Sequence, residues 1–302
     1  GTLIEMSICL LLRLFTSTMI LRPARSMVAL PNPVIDNSIR YRYILHKVTT
    51  LPPKKRTFAD IFFNTDMATI LNIDTSTTAC SAALTADGLV LAHYETFEPQ
   101  QHAALISDYI KACLDHAADH DMKLDAVAVT LGPDSYTGLR IGLSEAKGLA
   151  YALGIPLIGL STLEVMATGV MFGHPEIFDE AEADGREVLL TPMIDARRME
   201  VFTAVYTLGL EPVMEPAPLI LSPESYEQER ERGRLVIFGD GSDKARELLP
   251  DALWIEGIVP LATEMQALAD RAWARRDFVD TAYATPMYLK EFQASTPRNP
   301  LA

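Results

Sequence analysis

At 302 residues the chain is long enough to bury a full hydrophobic core, as one large domain or two of ordinary size, and its 49% apolar content is that of a globular protein. Charge is split along it: residues 1–66 hold nine Lys or Arg and four Asp or Glu, a net of +5, whereas residues 67–302 hold 17 and 36, a net of −19. A body that acidic repels a phosphate backbone, which argues against an unaided grip on nucleic acid; three scattered cysteines, Cys9, Cys80 and Cys113, argue against a disulfide framework and for a reducing, cytoplasmic setting.

Residues 7–21, SICLLLRLFTSTMIL, have the length of a signal-peptide apolar region but carry Arg13 in the middle, and no A-x-A site follows closely. Pro23, Pro31, Pro33, Pro52, Pro53 and the basic run Lys54, Lys55, Arg56 come next without a helix or strand period. Residues 1–66 therefore read as a disordered or loosely attached extension. A targeting segment, a genuine appendage and translation from upstream of the true start compete as its origin. The last is favoured, because Met67 directly precedes a clean apolar strand, and Gly1 reads as a residue left by cloning.

From Met67 the pattern predicts a strand over 69–73 ending at Asp74, a polar turn over 75–78, and strands over 79–84 and 89–93 joined by a hairpin turn at 86–88. Apolar residues at three- and four-residue spacing predict a helix over 100–120. Residues 124–131 form a near-continuous apolar strand, as expected when both faces of a sheet are covered. A helix over 138–153 is stopped by Gly154 and Pro156, and a strand over 155–160 and a helix over 163–170 follow. The second half repeats the scheme more loosely: a strand over 188–194 ending at Asp195, a polar turn, a return strand over 201–206, a strand over 235–238, a turn over 239–242, a helix starting at 243 with Ser242 or Asp243 as cap, a helix over 263–276, and a strand-like stretch over 287–289. The recurrence of apolar strand, terminal Asp and polar turn at Asp74 and Asp195 implies two related lobes, 67–162 and 163–292, with a tail over 293–302.

Three turns carry candidate chemistry. Residues 132–138, GPDSYTG, join a buried strand to a helix, where free amides and the helix dipole favour an anion, or where Gly132 and Gly138 merely permit the backbone path. No Lys-Ser or Lys-Thr follows, so this is not a Walker A loop, and Ser135 does not sit in a GxSxG elbow. Asp74, Ser76 and Thr77 could hold a metal-bound phosphate, with Asp195, Gly239 and Gly241 facing them across a cleft; each Asp could equally make an Asx turn. Together they are a sign of an actin-like nucleotide fold. His116 and His120 have the i, i+4 spacing of a metal pair, but without an HExxH glutamate they read better as a solvated helix end, where His suits the C-terminal dipole.

Residues 73–81 (IDTSTTACS), 132–142 (GPDSYTGLRIG), 158–163 (IGLSTL) and 193–197 (MIDAR), in this order, resemble the bacterial TsaB (YeaZ) family over about residues 68–292. Asp134 and Tyr136 stand where that family more often has Gly and Phe. The resemblance implies an actin-like, ASKHA-type α/β fold of two lobes and a non-catalytic role beside the related catalytic subunit TsaD and the ATPase TsaE. Together these attach threonylcarbamate to the adenosine next to the anticodon, and tRNA is met only through the complex. The catalytic relative binds its metal through an HxxxH pair; the matching stretch here, 158–167, reads IGLSTLEVMA, so no metal and no catalytic residue is expected. No cofactor is required by this reading, and weak ATP or ADP binding with Mg is left open. The family also implies that the helices at 100–120 and 138–153 meet TsaD, or a second copy when the subunit is alone, with Leu105, Tyr109, Cys113, Arg140, Gly142, Ala146 and Ala150 as contacts, unless these are core positions. The alternatives are a stand-alone ATP-dependent kinase of the same fold and a metalloprotease. No membrane role is expected.

Overall fold

The computed structural model describes residues 68–98, 101–134, 136–177, 179 and 185–289. The extension over 1–66, the tail over 293–302 and Ser135 lie outside the described residues. No helix among those described is long and apolar enough to cross a membrane.

Two five-stranded sheets are built on one plan. Strands β1 (Ile70–Asp74), β2 (Cys80–Ala86) and β3 (Leu89–Thr96) form an antiparallel meander, and β4 (Ala126–Gly132) and β5 (Leu157–Ser161) join it in parallel, giving the order β3-β2-β1-β4-β5. The β2–β3 turn puts Asp87 and Gly88 at positive φ, 52° and 71°, the hand that matches strand twist in a two-residue hairpin. Parallel pairing requires crossovers; these are α1 (His102–Asp119) before β4 and α2 (Tyr136–Leu153) before β5. The second sheet repeats the order with β6 (Glu187–Asp195), β7 (Glu200–Thr207), β8 (Pro212–Ile220), β9 (Gly233–Phe238) and β10 (Leu253–Ile255), the last two parallel to β6. Its crossovers are shorter: α4 (Glu227–Arg232) and a 3₁₀ turn at Ser242–Ala245. This is the two-lobed α/β architecture of the actin-like fold.

The strand pattern explains the layers. Alternate residues of a strand face opposite ways, so Ile70, Ala83, Ala126 and Ala128 meet the interior while Leu71, Ile73, Leu84, Val127 and Val129 lie under α1 and α2. Between the sheets runs α3 (Thr162–Gly173), buried almost all round because it is covered on both sides. It shares that layer with a 3₁₀ turn at Ala262–Met265 and with α5 (Gln266–Arg275). The 162/163 lobe boundary expected from the sequence thus falls at the start of an element that both sheets share.

Several elements differ from expectation. Strand β8, with Pro212, Pro216 and Pro218, was not anticipated; it is an edge strand, where a missing N–H leaves no ladder bond unmade. The short α4 and β10 were also unforeseen. The helix expected from 243 is the 3₁₀ turn capped from Gly241 rather than from Ser242 or Asp243, and the last predicted helix divides into the second 3₁₀ turn and α5. Residues 287–289 are not a strand. They end a strap that returns to the first sheet: Val279 pairs with Leu157 on the open edge of β5, Lys147 Nζ donates to the carbonyls of Ala282 and Ala284 at 2.9 and 3.1 Å, and Met287 N–H donates to Leu131 O at 2.6 Å. An edge that would otherwise offer free backbone groups is covered.

Candidate functional site

The turn after β1 is closed by its own side chains. Asp74 is the last residue of the strand and fully buried; its Oδ1 accepts hydrogen bonds from Ser76 Oγ and Thr130 Oγ1, both at 2.6 Å, and its Oδ2 has no partner among the described residues. Burial pushes this carboxyl up to about 7, against the two hydroxyl bonds and with the charge of Asp134 adding to the shift. Thr77 holds a left-handed φ of 54°, and its amide, which faces the glycine loop, donates to Asp134 Oδ2. Gly132, at φ 110°, takes a conformation that L side chains rarely adopt, and a methyl there would press on Leu139 and Met287. Gly138 lies inside the first turns of α2, its carbonyl accepting from Thr75 Oγ1 at 2.7 Å.

The second lobe copies this arrangement. Asp195 ends β6, Gly239 follows β9 at φ 103°, and Asp240 Oδ1 accepts the amide of Asp195 itself at 3.0 Å, whereas Asp134 accepts that of Thr77, three residues past Asp74. Asp195 Oδ1 takes Lys244 Nζ at 2.5 Å and the Arg197 amide at 2.5 Å, and Lys244 also reaches the Glu200 carbonyl at 2.9 Å. Partial burial works against the Asp195 carboxylate, but these bonds outweigh it and leave the group below the ordinary aspartate range. Gly241 is buried, packed against the Ile194–Asp195 backbone, and donates its N–H to Met193 O at 3.0 Å. All these bonds close within their own lobes. At each strand end a backbone amide, that of Thr77 in the first lobe and that of Asp195 in the second, donates to a carboxylate of this chain.

The stretch that the resemblance sets against a metal-binding pair, 158–167, lies in β5 and the first turns of α3, where Leu163, Val165, Met166 and Ala167 fill the layer between the sheets. His116 and His120 stack at the end of α1, ring centroids 4.4 Å apart, and His120 Nδ1 meets the His116 carbonyl at 2.8 Å. Among the described residues no group of three or more His, Cys, Asp or Glu could hold a metal ion.

Of the seven expected contact residues, five face inward. Tyr109 and Cys113 on α1, and Ala146 and Ala150 on α2, are buried with the outer face of the first sheet; Gly142 lies against Thr75, whose Oγ1 accepts its amide at 3.0 Å. Helical periodicity marks which residues share a face but not whether the sheet or another molecule covers it, and here the small residues let α2 approach the β1 turn. Leu105 is half-buried beside them, and Arg140 is exposed. Arg140 sits 4.4 Å from the centroid of the Tyr136 ring and 5.9 Å from that of Tyr288, its Nε donating to Tyr288 Oη at 3.1 Å; the two rings stack at 4.2 Å and 11°. Arg140 and Tyr136 border a shallow groove of about 480 Å³ between α1 and α2, lined also by Glu145, whose Oε1 accepts from Ser107 Oγ at 2.8 Å. Sequence reasoning did not find Thr130, Lys244 or Tyr288, which reach their partners from distant parts of the chain.

Three comparisons agree with this geometry. The family model described as TsaD, tRNA N6-adenosine threonylcarbamoyltransferase, matches residues 96–217. The tRNA threonylcarbamoyladenosine biosynthesis protein TsaB of Escherichia coli K12 is 32% identical over 229 residues, 73% of this chain and 94% of the relative, and that of Bacillus subtilis 168 is 31% identical over 65% and 81%. The solved structure of YeaZ from Pseudomonas aeruginosa is 28% identical, with a TM-score of 0.59 over 74% of this chain and all of that one. With the doubled sheet plan and the four ordered motifs, these likenesses show that the chain belongs to the TsaB (YeaZ) family of tRNA threonylcarbamoyladenosine biosynthesis proteins.

Proposed function

We propose that this chain serves tRNA threonylcarbamoyladenosine synthesis as a non-catalytic subunit that supports a TsaD-family transferase, with TsaE as a further member of the assembly and the cytoplasm as its location. The observation that carries the reading is the internal occupation of both turns: Asp134 holds the Thr77 amide, Asp240 holds the Asp195 amide, and Lys244 neutralises Asp195. A kinase of this fold needs such groups free for a nucleotide and its metal. The helices α1 and α2 then serve as the surface for the transferase, or for a second copy in its absence.

Reconstitution tests this. Transferase, TsaE, tRNA, ATP and threonylcarbamoyl-adenylate are combined with and without the chain, and modified adenosine is measured. Modification is expected to depend on the chain; equal modification in its absence overturns the proposal. Calorimetry of the isolated chain with Mg-ATP separates this reading from a kinase, which requires micromolar affinity and turnover.

A further inference from the structure

The outer face of the second sheet is crossed only by α4, of six residues, and by a single 3₁₀ turn. Crossovers this short cover the face unevenly, and a cavity of about 350 Å³ opens between α4 and the loop over 249–252. It lies where β6 and β9 begin, at the opposite end of those strands from Asp195 and Gly239, and is therefore separate from the turns described above. Three arginines line it from three elements: Arg186 ahead of β6, Arg230 on α4 and Arg234 in β9. Glu227, Glu231 and Asp251 also line it and are exposed, so they form its rim. Leu235 and Leu249 are buried and give it an apolar floor.

The one ion pair across the cavity is loose. Arg230 Nη1 donates to the Pro223 carbonyl at 3.3 Å, while its Nη2 stands 4.0 Å from Asp251 Oδ2, on a side chain that is 88% exposed. A pair that long and that wet contributes little, so a ligand carboxylate displaces it at small cost.

We propose that this cavity binds a small aliphatic α-amino acid as its zwitterion. The arginines receive the carboxylate, for which a planar guanidinium fork is suited. The rim carboxylates receive the ammonium group, and Leu235 and Leu249 meet the side chain. Three arginines against three carboxylates leave the lining without net charge, which matches a ligand that is itself neutral overall; a phosphate ester would meet the rim carboxylates of an already acidic body. The volume falls in the range of small-ligand pockets, roughly 300 Å³ and above. The site does not depend on the subunit role proposed above.

The test is calorimetry and amide NMR titration of the full chain with L-valine and L-threonine, and with isovalerate and isobutylamine, which are valine without its ammonium and without its carboxylate. At least one amino acid is expected to bind with a dissociation constant of about 1 mM or below. Each truncated analogue should bind about tenfold more weakly or worse, because it leaves one set of charged partners unmet. Arg230→Gln is expected to weaken amino-acid binding about tenfold or more, while Arg246→Gln, whose guanidinium pairs with Glu256 outside the cavity, leaves it unchanged. Asp251→Asn, at an exposed position, should weaken the amino acid but not isovalerate, and melts of each variant check that it folds. Failure of both amino acids to bind well above that concentration overturns the proposal. So does isovalerate that binds as tightly as valine, which makes the site one for anions only, and so does binding that Arg230→Gln and Asp251→Asn leave intact.

Discussion

Replacing Gly142 by alanine tests the inward placement of α2 directly. A methyl built on Gly142 collides with Thr75 Oγ1 and comes within 3.4 Å of two further Thr75 carbons. That hydroxyl accepts from the Gly142 amide and donates to the Gly138 carbonyl, so moving it strains two buried bonds at once. Overpacking costs about 1–3 kcal/mol, and each weakened bond about 1 kcal/mol. Alanine offsets about 1 kcal/mol through its better helix propensity. The net is a loss of about 2–4 kcal/mol, which for a body of this size lowers the melting temperature by roughly 4–16 °C. Gly148, six residues along the same helix, has nothing within 4 Å of an added methyl, so Gly148→Ala keeps only the propensity gain and should raise the melting temperature by roughly 2–4 °C. Calorimetric melts of the two variants against wild type decide the matter. Shifts of the same sign refute the packing argument, and a Gly142→Ala chain of full stability that no longer binds its partner would make Gly142 a contact residue instead.

Two predictions concern ionisation. Burial pushes Asp74 and Asp270 each up to about 7, so the folded chain keeps protons that the unfolded chain releases near pH 4. The folded state then binds more protons than the unfolded one, and stability declines as pH rises from about 4 to about 7. Asp270 Oδ2 has no partner among the described residues, so Asp270→Asn should flatten this slope and raise the melting temperature at pH 8; an unchanged slope counts against it. Lys244→Ala removes an ion pair whose aspartate is 46% exposed, so the loss is about 1 kcal/mol or less, and the Asp195 pKa, followed by NMR titration, should rise. An Asp195 pKa that stays depressed would show that Lys244 does not set it.

Much of the fold was legible because its strands and helices announce themselves over short stretches. Residues 70–74 and 126–132 are apolar runs buried on both faces, and α1 and α2 carry an apolar stripe of helical period. What escaped was either short, like α4 and β10, or disguised: three prolines hide β8, and only its place at the sheet edge makes them harmless. Asp74, Gly132, Asp195 and Gly239 stood out as strand ends. What occupies those turns did not, since Thr130 reaches Asp74 across 56 residues, Asp134 reaches Thr77 across 57, and Lys244 reaches Asp195 across 49. Local pattern carries no record of such pairings, and the direction in which α2 turns its small residues is lost for the same reason.

The two lobes also bear on why α1 and α2 are as long as they are. Each sheet has the same strand order, a positive-φ glycine at the end of its first parallel strand, and just beyond it an Asp whose carboxylate accepts a backbone amide from the neighbouring strand end. Their outer faces are covered very differently. The second sheet is closed by Leu221, Tyr226, Ala245 and Leu249 from loops and single turns, which bury Leu189, Met193, Val201, Val205, Leu235 and Ile237 of its three central strands and leave the edge strands β8 and β10 partly exposed. The first sheet is covered instead by two helices of 18 residues each. On their outward side Arg140 lies beside the stacked rings of Tyr136 and Tyr288, the latter brought there by the strap from the far end of the chain. Both helices spend their inner faces on the first sheet, and the outward side that remains is the surface that the proposed subunit role assigns to a partner.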